Sequence, residues 1–350
     1  MEKEISHRKM LGSLTSGKHF SEVRIADQFF LFGIPPNTKK QGQTSILVAF
    51  PSFQQPSIPI TNVLKLSYPN PETSSSNSKF KFSLSDTPSN ESGIIDEFVF
   101  QFKARSTVMY GACVHIQPSK ANKTSSNPFY SSDNTKKSKF CFCLISRIPI
   151  FNVHFTFLHY LISISTQQAT TSKTKKQKAT ITPSNPNSPS TGTDLFEGLE
   201  VNGLFGQNGQ LQIPEEFRTA ITDHFSKTVF SPPVKFPPCY IIHFPPPTIP
   251  LQQLILYASL DNLFSVMPVA DIIELLTALI LDAQVLVIGT SMHEVSMTVY
   301  GLFSLLTPFN YCGTVMPILP NDEDYLNLLN SPTPYIFGMP NIAKLRNISF

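Results

Sequence analysis

The residues Gly289-Thr290-Ser291-Met292-His293 stand where a run of apolar residues gives way to a predicted helix. In hydrolases of the α/β type, a nucleophilic serine occupies such a turn within the pattern Gly-x-Ser-x-Gly. Here His293 replaces the last glycine, and no later histidine is present to complete a catalytic triad. The sequence therefore favours Ser291 as a helix cap, and an α/β hydrolase is the remote alternative.

Cys141, Cys143, His154 and His159 are residue types that bind zinc. Only one residue separates the two cysteines, whereas Cys2His2 sites need about two to four between them. In a strand, this spacing places both thiols on one face, where cysteine packs as a small apolar residue. The glycines of 201–210 follow no buried strand, so a dinucleotide-binding loop is not indicated either. We predict no metal site and no cofactor.

The charge balance argues against a nucleic-acid-binding protein. The 350 residues include 27 Lys and Arg against 24 Asp and Glu, a formal net charge of +3. The basic runs at 136–139 and 173–178 lie in polar stretches that are typical of solvated linkers. Five cysteines, a charged amino terminus and the lack of a long uninterrupted apolar run predict a cytoplasmic chain without a transmembrane helix.

The amino-terminal half predicts one mixed domain over 25–165, after a polar lead-in at 1–24. Its first two strands are short, apolar and suited to burial on both faces. The hairpin is predicted from strict alternation on either side of a turn at Ala104-Arg105-Ser106-Thr107. In order, the elements are strands at 25–36 and 45–51, the hairpin at 94–118, a strand at 140–146 and a helix after Pro149.

Two segments of different composition separate the halves. Residues 166–194 contain almost no apolar side chains, so they predict a disordered linker. A transitional, Pro-rich segment follows at 195–250, with a helix at 214–227 that begins at Pro214. Prolines on both sides of CYIIHF, 239–244, predict a short strand near an edge.

The most regular part is 251–340, before a tail at 341–350. Its alternating elements predict a parallel sheet covered on both faces by helices. In order, they are a helix at 268–281, a buried strand at 285–289, a helix from Met292 to Pro308, a strand at 314–320, a helix at 322–330 and a strand at 335–337. The first helix has one apolar stripe, formed by Ile272, Leu275, Leu276, Leu279 and Ile280.

Two blocks of this sequence resemble the DENN domain, the module of guanine-nucleotide exchange factors for Rab-type GTPases. The amino-terminal phrases FFLFGIPP, SILVAFP, EFVFQF, MYGACVHI and CFCLISRIPIF are similar, in order and spacing, to the upstream subdomain. Residues 275–340 are similar to the central subdomain, most specifically at 307–309, 317–320 and 332–338. The downstream helical subdomain of the family has no counterpart before Phe350, and we expect it to be missing.

The resemblance implies an α/β fold, with a longin-like domain of antiparallel sheet and helices followed by a three-layer αβα central DENN domain. It implies an exchange factor that binds the switch regions of a Rab-family small GTPase and promotes GDP release in membrane trafficking. No covalent chemistry is expected, because a partner that prefers the nucleotide-free GTPase weakens nucleotide binding by coupling alone. The chain would be recruited peripherally to vesicle or endosomal membranes. A non-catalytic DENN scaffold or GTPase-binding module is the alternative.

We expect the GTPase to bind in the groove between the two domains, at loops near the carboxyl ends of the central strands, where open α/β sheets form crevices. Each candidate residue also has an ordinary role in a cap or a turn. The candidates are Thr290, Ser291 and Glu294 after the strand at 285–289, Asn310 and Tyr311 before the next strand, and Tyr335 near the last.

Overall fold

The computed structural model describes residues 24–33, 44–51, 58–69, 94–116, 140–177, 213–228, 234–236, 240–242, 251–309 and 311–340. The strands of the amino-terminal half are β1 (Gln28–Gly33), β2 (Ser45–Phe50), β3 (Ile94–Ala104), β4 (Thr107–Ile116) and β5 (Phe140–Ser146). The helices are α1 (Ile60–Ser67), α2 (Phe151–Gln177) and α3 (Glu215–Ser226). The five strands form one antiparallel sheet in the order β2-β1-β5-β4-β3.

The two faces of this sheet carry separate apolar cores. Alternate residues of a strand point to opposite faces, and in β1 Phe29 and Leu31 pack with residues of α2 and α3. Phe30 and Phe32 pack on the other face, with residues of α1. Every residue of β1 is buried, as predicted for a short apolar strand with helices on both sides.

The predicted hairpin is confirmed in β3 and β4. Phe98 lies opposite Cys113, and Ala104 opposite Thr107, with an irregularity only near Ile94. Arg105 follows β3 with a φ of 56°, a left-handed conformation that tight hairpin turns favour. The turn therefore falls where the sequence predicts it.

Strand β2 does not have the predicted burial on both faces. It lies at the edge of the sheet beside β1, and Val48 is its one fully buried residue. An edge strand lacks a neighbouring strand on one side and is therefore more accessible. Its apolar composition alone did not distinguish it from the central strand β1.

Helix α2 extends into the segment that we predict to be a linker. The prediction places the linker at 166–194, whereas the helix continues to Gln177. Residues 166–177 contain no Pro or Gly, so nothing in their sequence ends a helix that is already nucleated. The remaining part, 178–194, lies outside the described residues, and the domain boundaries stay predictions.

Helix α3 matches the predicted helix at 214–227. It follows Pro214 and has Glu215 and Glu216 in its first turn, where acidic groups complement the helix dipole. The ring of Phe217 lies 6.0 Å from that of Phe29, so α3 packs on the same face as α2. The short strands β6 (Val234–Phe236) and β7 (Tyr240–Ile242) pair antiparallel, and β7 is the predicted short strand in CYIIHF.

The carboxyl-terminal half alternates helices and strands, as predicted. Its elements are α4 (Leu251–Val266), α5 (Val269–Ile280), β8 (Val285–Gly289), α6 (Met292–Leu305), β9 (Thr314–Met316), α7 (Glu323–Leu326), a 3-10 helix (Asn327–Asn330) and β10 (Tyr335–Pro340). The three strands are parallel in the order β8-β10-β9. Helices α4, α5 and α6 share one apolar core with this sheet, and the 3-10 helix packs in a second core with β10. The fold is α/β.

Two predictions about burial in this half are wrong. Strand β8 is expected to be buried, but it forms the edge of the parallel sheet, and Ile288 is 38% exposed. In α5, Ile272 and Leu279 are buried as predicted, whereas Ile280 is 56% exposed. Leu275 and Leu276 also pack against this core, so the periodicity identified the side of α5 that faces the core, and Ile280 is the one member of the predicted stripe that is exposed.

Candidate functional site

The two halves of the chain pack together where α6 lies on β3. The hydroxyl of Ser296 accepts the backbone N–H of Val99 at 3.3 Å. Tyr300 donates its hydroxyl to Oε1 of Gln101 at 3.3 Å, and Nε2 of Gln101 donates to the carbonyl oxygen of Val315 at 2.7 Å. We call these five residues the junction, because they connect the antiparallel sheet with α6 and β9.

Aromatic packing surrounds the polar contacts of the junction. Tyr300 is fully buried, and its ring stacks on Phe151 of α2 with centroids 5.2 Å apart. The ring of Tyr110 lies 6.4 Å from that of Tyr300. The next residue, Gly111, is covered by the ring of Phe100, so a Cβ there would overlap it. The phrase Tyr110-Gly111 thus provides an aromatic contact to the other half and room for an aromatic ring on β3.

A cluster of ionisable side chains lies beside the junction, at the start of α6. Glu97 accepts a hydrogen bond from Nε2 of His159 at 2.8 Å. Its other carboxylate oxygen is 3.4 Å from Nδ1 of His293. Burial opposes the charged form of Glu97, but the hydrogen bond from His159 and the charge of His293 hold its pKa below the usual value. Helix α2, strand β3 and helix α6 therefore meet at one carboxylate.

The pKa of Asp96 is shifted in the opposite direction from that of its neighbour Glu97. Burial raises its pKa to about 7, although backbone N–H groups of Met292, Glu97 and His293 favour its charged form. Two of those donors belong to the first turn of α6, where backbone N–H groups lack partners within the helix. Asp96 therefore joins β3 to the amino end of α6.

Asp96→Asn should change how stability depends on pH. The folded protein holds the Asp96 proton up to a pH of about 7, whereas the usual pKa of an aspartate is 3.8, so this residue makes stability fall as pH rises through that interval. Asparagine keeps an acceptor oxygen but bears no charge. At pH 8 the variant should exceed the wild type in free energy of unfolding by about 1 kcal/mol or more, the equivalent of roughly one pKa unit. Near pH 4 the two should be equal.

Urea unfolding at several pH values between these limits measures this difference. The matched control is Asp261→Asn, at an exposed position of α4, which should leave the pH profile parallel to that of the wild type. A constant difference between Asp96→Asn and the wild type at every pH would contradict the assignment.

A second contact between the halves lies on the surface. Nζ of Lys65 in α1 is 2.9 Å from a carboxylate oxygen of Asp322 and 3.5 Å from one of Asp324. The backbone N–H of Asn321 donates to the carbonyl oxygen of Pro69 at 2.7 Å. Exposed ion pairs contribute little to stability, so this contact sets the orientation of the loop before α7 more than its stability.

Three of the candidate residues lie together at the carboxyl end of β8. Thr290 and Glu294 are exposed, and Ser291 is half-buried. Ser291 is the N-cap of α6 and accepts the backbone N–H of Glu294 at 3.4 Å. The prediction that Ser291 caps this helix is confirmed.

Tyr311 and Tyr335 do not lie with these three, which corrects the expectation of a single group. Tyr311 precedes β9 and Tyr335 begins β10, so both lie at the amino ends of the parallel strands. The register pairs Pro340, at the other end of β10, with Gly289. A residue that precedes one parallel strand and a residue that follows its neighbour lie at opposite ends of the strands. Here the two ends are separated by the length of β10, at about 3.3 Å per residue.

The two tyrosines are also more buried than we expect for residues that contact a partner. Tyr335 is 4% exposed and stacks on Phe337 with centroids 4.2 Å apart, so it is a core residue. Tyr311 is half-buried, and burial together with the charge of Asp282 raises its pKa to about 12. Asn310 lies outside the described residues.

The cysteine and histidine pattern does not assemble into a zinc site. Cys141 and Cys143 are buried in the apolar core on the α1 face, as predicted for two thiols on one side of a strand. His154 instead donates to the carbonyl oxygen of Ile148 at 3.2 Å, and His159 bonds to Glu97. Across the described ranges, no group of His, Cys, Asp and Glu is arranged to hold a metal ion.

The sequence interpretation missed the ionisable cluster at the junction. The available signal was Asp96-Glu97, an acidic pair directly before the apolar residues Phe98, Val99 and Phe100. Adjacent residues of a strand point to opposite faces, so two neighbouring carboxylates require polar partners on both sides. For Glu97 the partners come from residues 62 and 196 positions later, His159 and His293. For Asp96 they include backbone N–H groups at the start of α6, and local patterns encode neither separation.

Comparison with known proteins bears on the carboxyl-terminal half. Residues 244–345 match the family model described as DENN (AEX-3) domain. Over this part, the chain is similar to the DENN domain family. The DENN match includes the region 275–340 that we identified from its sequence phrases, together with α4 and the first half of α5. Among the described residues, none of the helices is long and apolar enough to cross a membrane.

Individual relatives align with a limited part of the chain. DENN domain-containing protein 2A of Mus musculus is 26% identical over 90 residues, which are 26% of this chain and 9% of that protein. DENN domain-containing protein 2B of Homo sapiens is 23% identical over 101 residues, 28% of this chain and 9% of that protein. Myotubularin-related protein 5 of Caenorhabditis elegans is 30% identical over 77 residues, 22% of this chain and 4% of that protein. The chain thus covers less than a tenth of each of these relatives.

Proposed function

We propose that this chain is a guanine-nucleotide exchange module that binds the switch regions of a Rab-family small GTPase and promotes GDP release. The observation that carries the proposal is the DENN match over 244–345. In this proposal the five-stranded sheet and its helices form a longin-like upstream domain. Residues 251–340 form a three-layer αβα central domain, and the chain acts in the cytoplasm at vesicle or endosomal membranes during membrane trafficking.

Exchange of this kind needs no covalent step and no cofactor. A GTPase holds its nucleotide through its phosphate loop, Mg²⁺ and switch segments. A protein that binds the nucleotide-free form more tightly must weaken nucleotide binding by the same coupling free energy. Weakening it about a thousandfold takes roughly 4 kcal/mol of differential binding. A packed surface made of two halves can supply this energy.

We place the GTPase contact at Thr290, Ser291 and Glu294. These residues lie at the carboxyl ends of the parallel strands, where α/β folds form their crevices. Ser291 caps α6, and Glu294 lies in its first turn. Ser296 and Tyr300 of the same helix form part of the junction. A GTPase bound there would contact the element that connects the two halves. Tyr311 and Tyr335 lie at the amino ends of the strands, so we do not include them in this contact.

Glu294→Ala should slow the release of labelled GDP from the responsive GTPase by about tenfold, as expected for loss of a charged contact at an interface, about 1.4 kcal/mol. The matched control is Glu215→Ala, because Glu215 also lies exposed in the first turn of a helix, α3. That variant loses the same interaction with a helix dipole and should release GDP at the wild-type rate. Unchanged release by Glu294→Ala would remove this residue from the contact.

The second candidate function is a module that binds a GTPase or acts as a scaffold without promoting exchange. The chain covers less than a tenth of the length of these relatives, which favours this second candidate. In that case Glu294→Ala would reduce capture of the GTPase, while neither variant nor wild type would accelerate GDP release.

A further inference from the structure

Helix α5 is apolar on more sides than the fold covers. Nine of its twelve residues are apolar, and Ile272 and Leu279 pack in the core shared with α6. On its other side, Val269, Ile273 and Ile280 are 57%, 59% and 56% exposed. A helix that is apolar all round is normally covered all round. One side of α5 therefore lacks a partner within the described residues.

The exposed residues follow the geometry of a helix face. Val269, Ile273 and Ile280 are four and seven positions apart, a spacing that places them in one row. Leu281 directly follows the helix and is 75% exposed. At about 1.5 Å per residue the row is roughly 17 Å long, which is three turns. We call these four residues the outer stripe.

The surroundings of the outer stripe are acidic. Asp271, Glu274 and Asp282 are exposed on or directly after α5, and Asp261 is exposed on α4. Residues 236–343 contain no Lys or Arg at all. Two copies of the chain that met symmetrically through this stripe would therefore place acidic residues against acidic residues, and an anionic lipid surface would be repelled in the same way.

We propose that the outer stripe binds a basic amphipathic helix of a partner protein. Apolar residues of that helix would cover Val269, Ile273 and Ile280, and its Lys or Arg residues would meet Glu274 and Asp282 at the side and end of the stripe. A straight row of three turns fits the ridges of a second helix, and a groove-bound amphipathic helix is a common form of recognition. This site is additional to the GTPase contact and does not depend on it.

A designed peptide tests the proposal on the full chain. The probe is a labelled 18-residue helix with Leu along one face and Lys on the others, and fluorescence anisotropy measures its binding. Two control peptides have the same Leu positions with Glu in place of Lys, and the same composition with Leu distributed around the helix. The Lys peptide should bind at least about tenfold more tightly than either control, and its affinity should fall with salt.

Variants of the chain locate the binding site. Ile273→Ser combined with Ile280→Ser should weaken binding about tenfold or more, and the exposure of both residues leaves the core intact. Glu274→Gln combined with Asp282→Asn should weaken binding and reduce its salt dependence. The control is Phe309→Ser, because Phe309 is an apolar residue outside α5 that is 66% exposed. This variant should bind as the wild type does.

Three results would overturn the proposal. Equal binding of the Lys and Glu peptides would show that charge does not select the partner. Self-association of the wild type that the Ile273→Ser, Ile280→Ser variant abolishes would assign the stripe to a second copy. Loss of GDP release in that same variant would make the stripe part of the GTPase contact, whereas failure of the GTPase proposal itself would leave peptide binding unchanged.

Discussion

Tyr300→Ala should reduce the free energy of unfolding by about 4 kcal/mol, the range expected when a large buried aromatic side chain is truncated. The side chain is fully buried and stacks on Phe151, with Tyr110 on another side. These three rings come from α6, α2 and β4, so the cavity would open between the two halves. The change should therefore loosen their connection as well as lower stability. Urea unfolding followed by circular dichroism measures the loss.

The matched control for this prediction is Tyr300→Phe. It keeps the stacked ring and removes only the hydrogen bond from the hydroxyl to Gln101, so it should cost about 1 kcal/mol. A Tyr300→Ala variant within about 1 kcal/mol of the wild type would mean that the halves are held together elsewhere. Equal losses in the Ala and Phe variants would assign the effect to the hydroxyl instead of the ring.

Gly338→Ala should cost about 3 kcal/mol, because the position has no room for a methyl group. Gly338 lies in β10, the central strand of the parallel sheet. A Cβ there would overlap the carbonyl oxygen of Pro317 and lie 2.6 Å from a methyl group of Val295. The first of these neighbours is backbone and is held in place, since the N–H of Leu319 donates to the carbonyl oxygen of Gly338 at 2.7 Å. Accommodation would require the two segments to separate.

Gly301→Ala is the contrasting variant, and the same urea titration measures it. A Cβ at Gly301 would lie 3.0 Å from side-chain atoms of Leu263, which can shift slightly, and alanine favours the helix α6 by up to about 1 kcal/mol. The two effects oppose each other, so the change in stability should be below about 1 kcal/mol. If Gly338→Ala is as mild as Gly301→Ala, the close approach of Pro317 to β10 is not maintained in solution.

Local sequence patterns predicted most of the elements in this fold. Alternation located the hairpin and its turn at Arg105, and helical spacing together with Pro214 located α3. The spacing of Cys141 and Cys143 correctly indicated one buried face of a strand. These features depend on residues close in sequence, whose preferences are expressed before any distant contact forms.

Burial at the edges of the sheets could not be predicted in the same way. Strands β2 and β8 are as apolar as central strands, and only their order in the sheet makes them accessible. In α5 the helical spacing identified the buried side but not its limit, since Ile280 at the margin of the predicted stripe is exposed. In each case the decision depends on which distant element lies alongside, and that information is absent from a local pattern.

The candidate site was predicted in part. The loop after β8 was located correctly, with Ser291 as the cap of α6. Tyr311 and Tyr335 were grouped with this loop because they also lie beside strands. Residues that precede parallel strands, however, lie at the opposite ends of those strands. The ionisable cluster around Glu97 was missed, since it forms from β3, α2 and α6 only when the two halves are in contact.

The most direct test compares the affinity of the chain for nucleotide-free and GDP-loaded forms of each Rab-family GTPase in a panel. Exchange by coupling requires a preference for the empty form. We predict that at least one GTPase binds about a hundredfold more tightly when empty, equivalent to roughly 2.7 kcal/mol. Equal affinity for the two forms throughout the panel, or no binding to any member, would contradict the proposed exchange function.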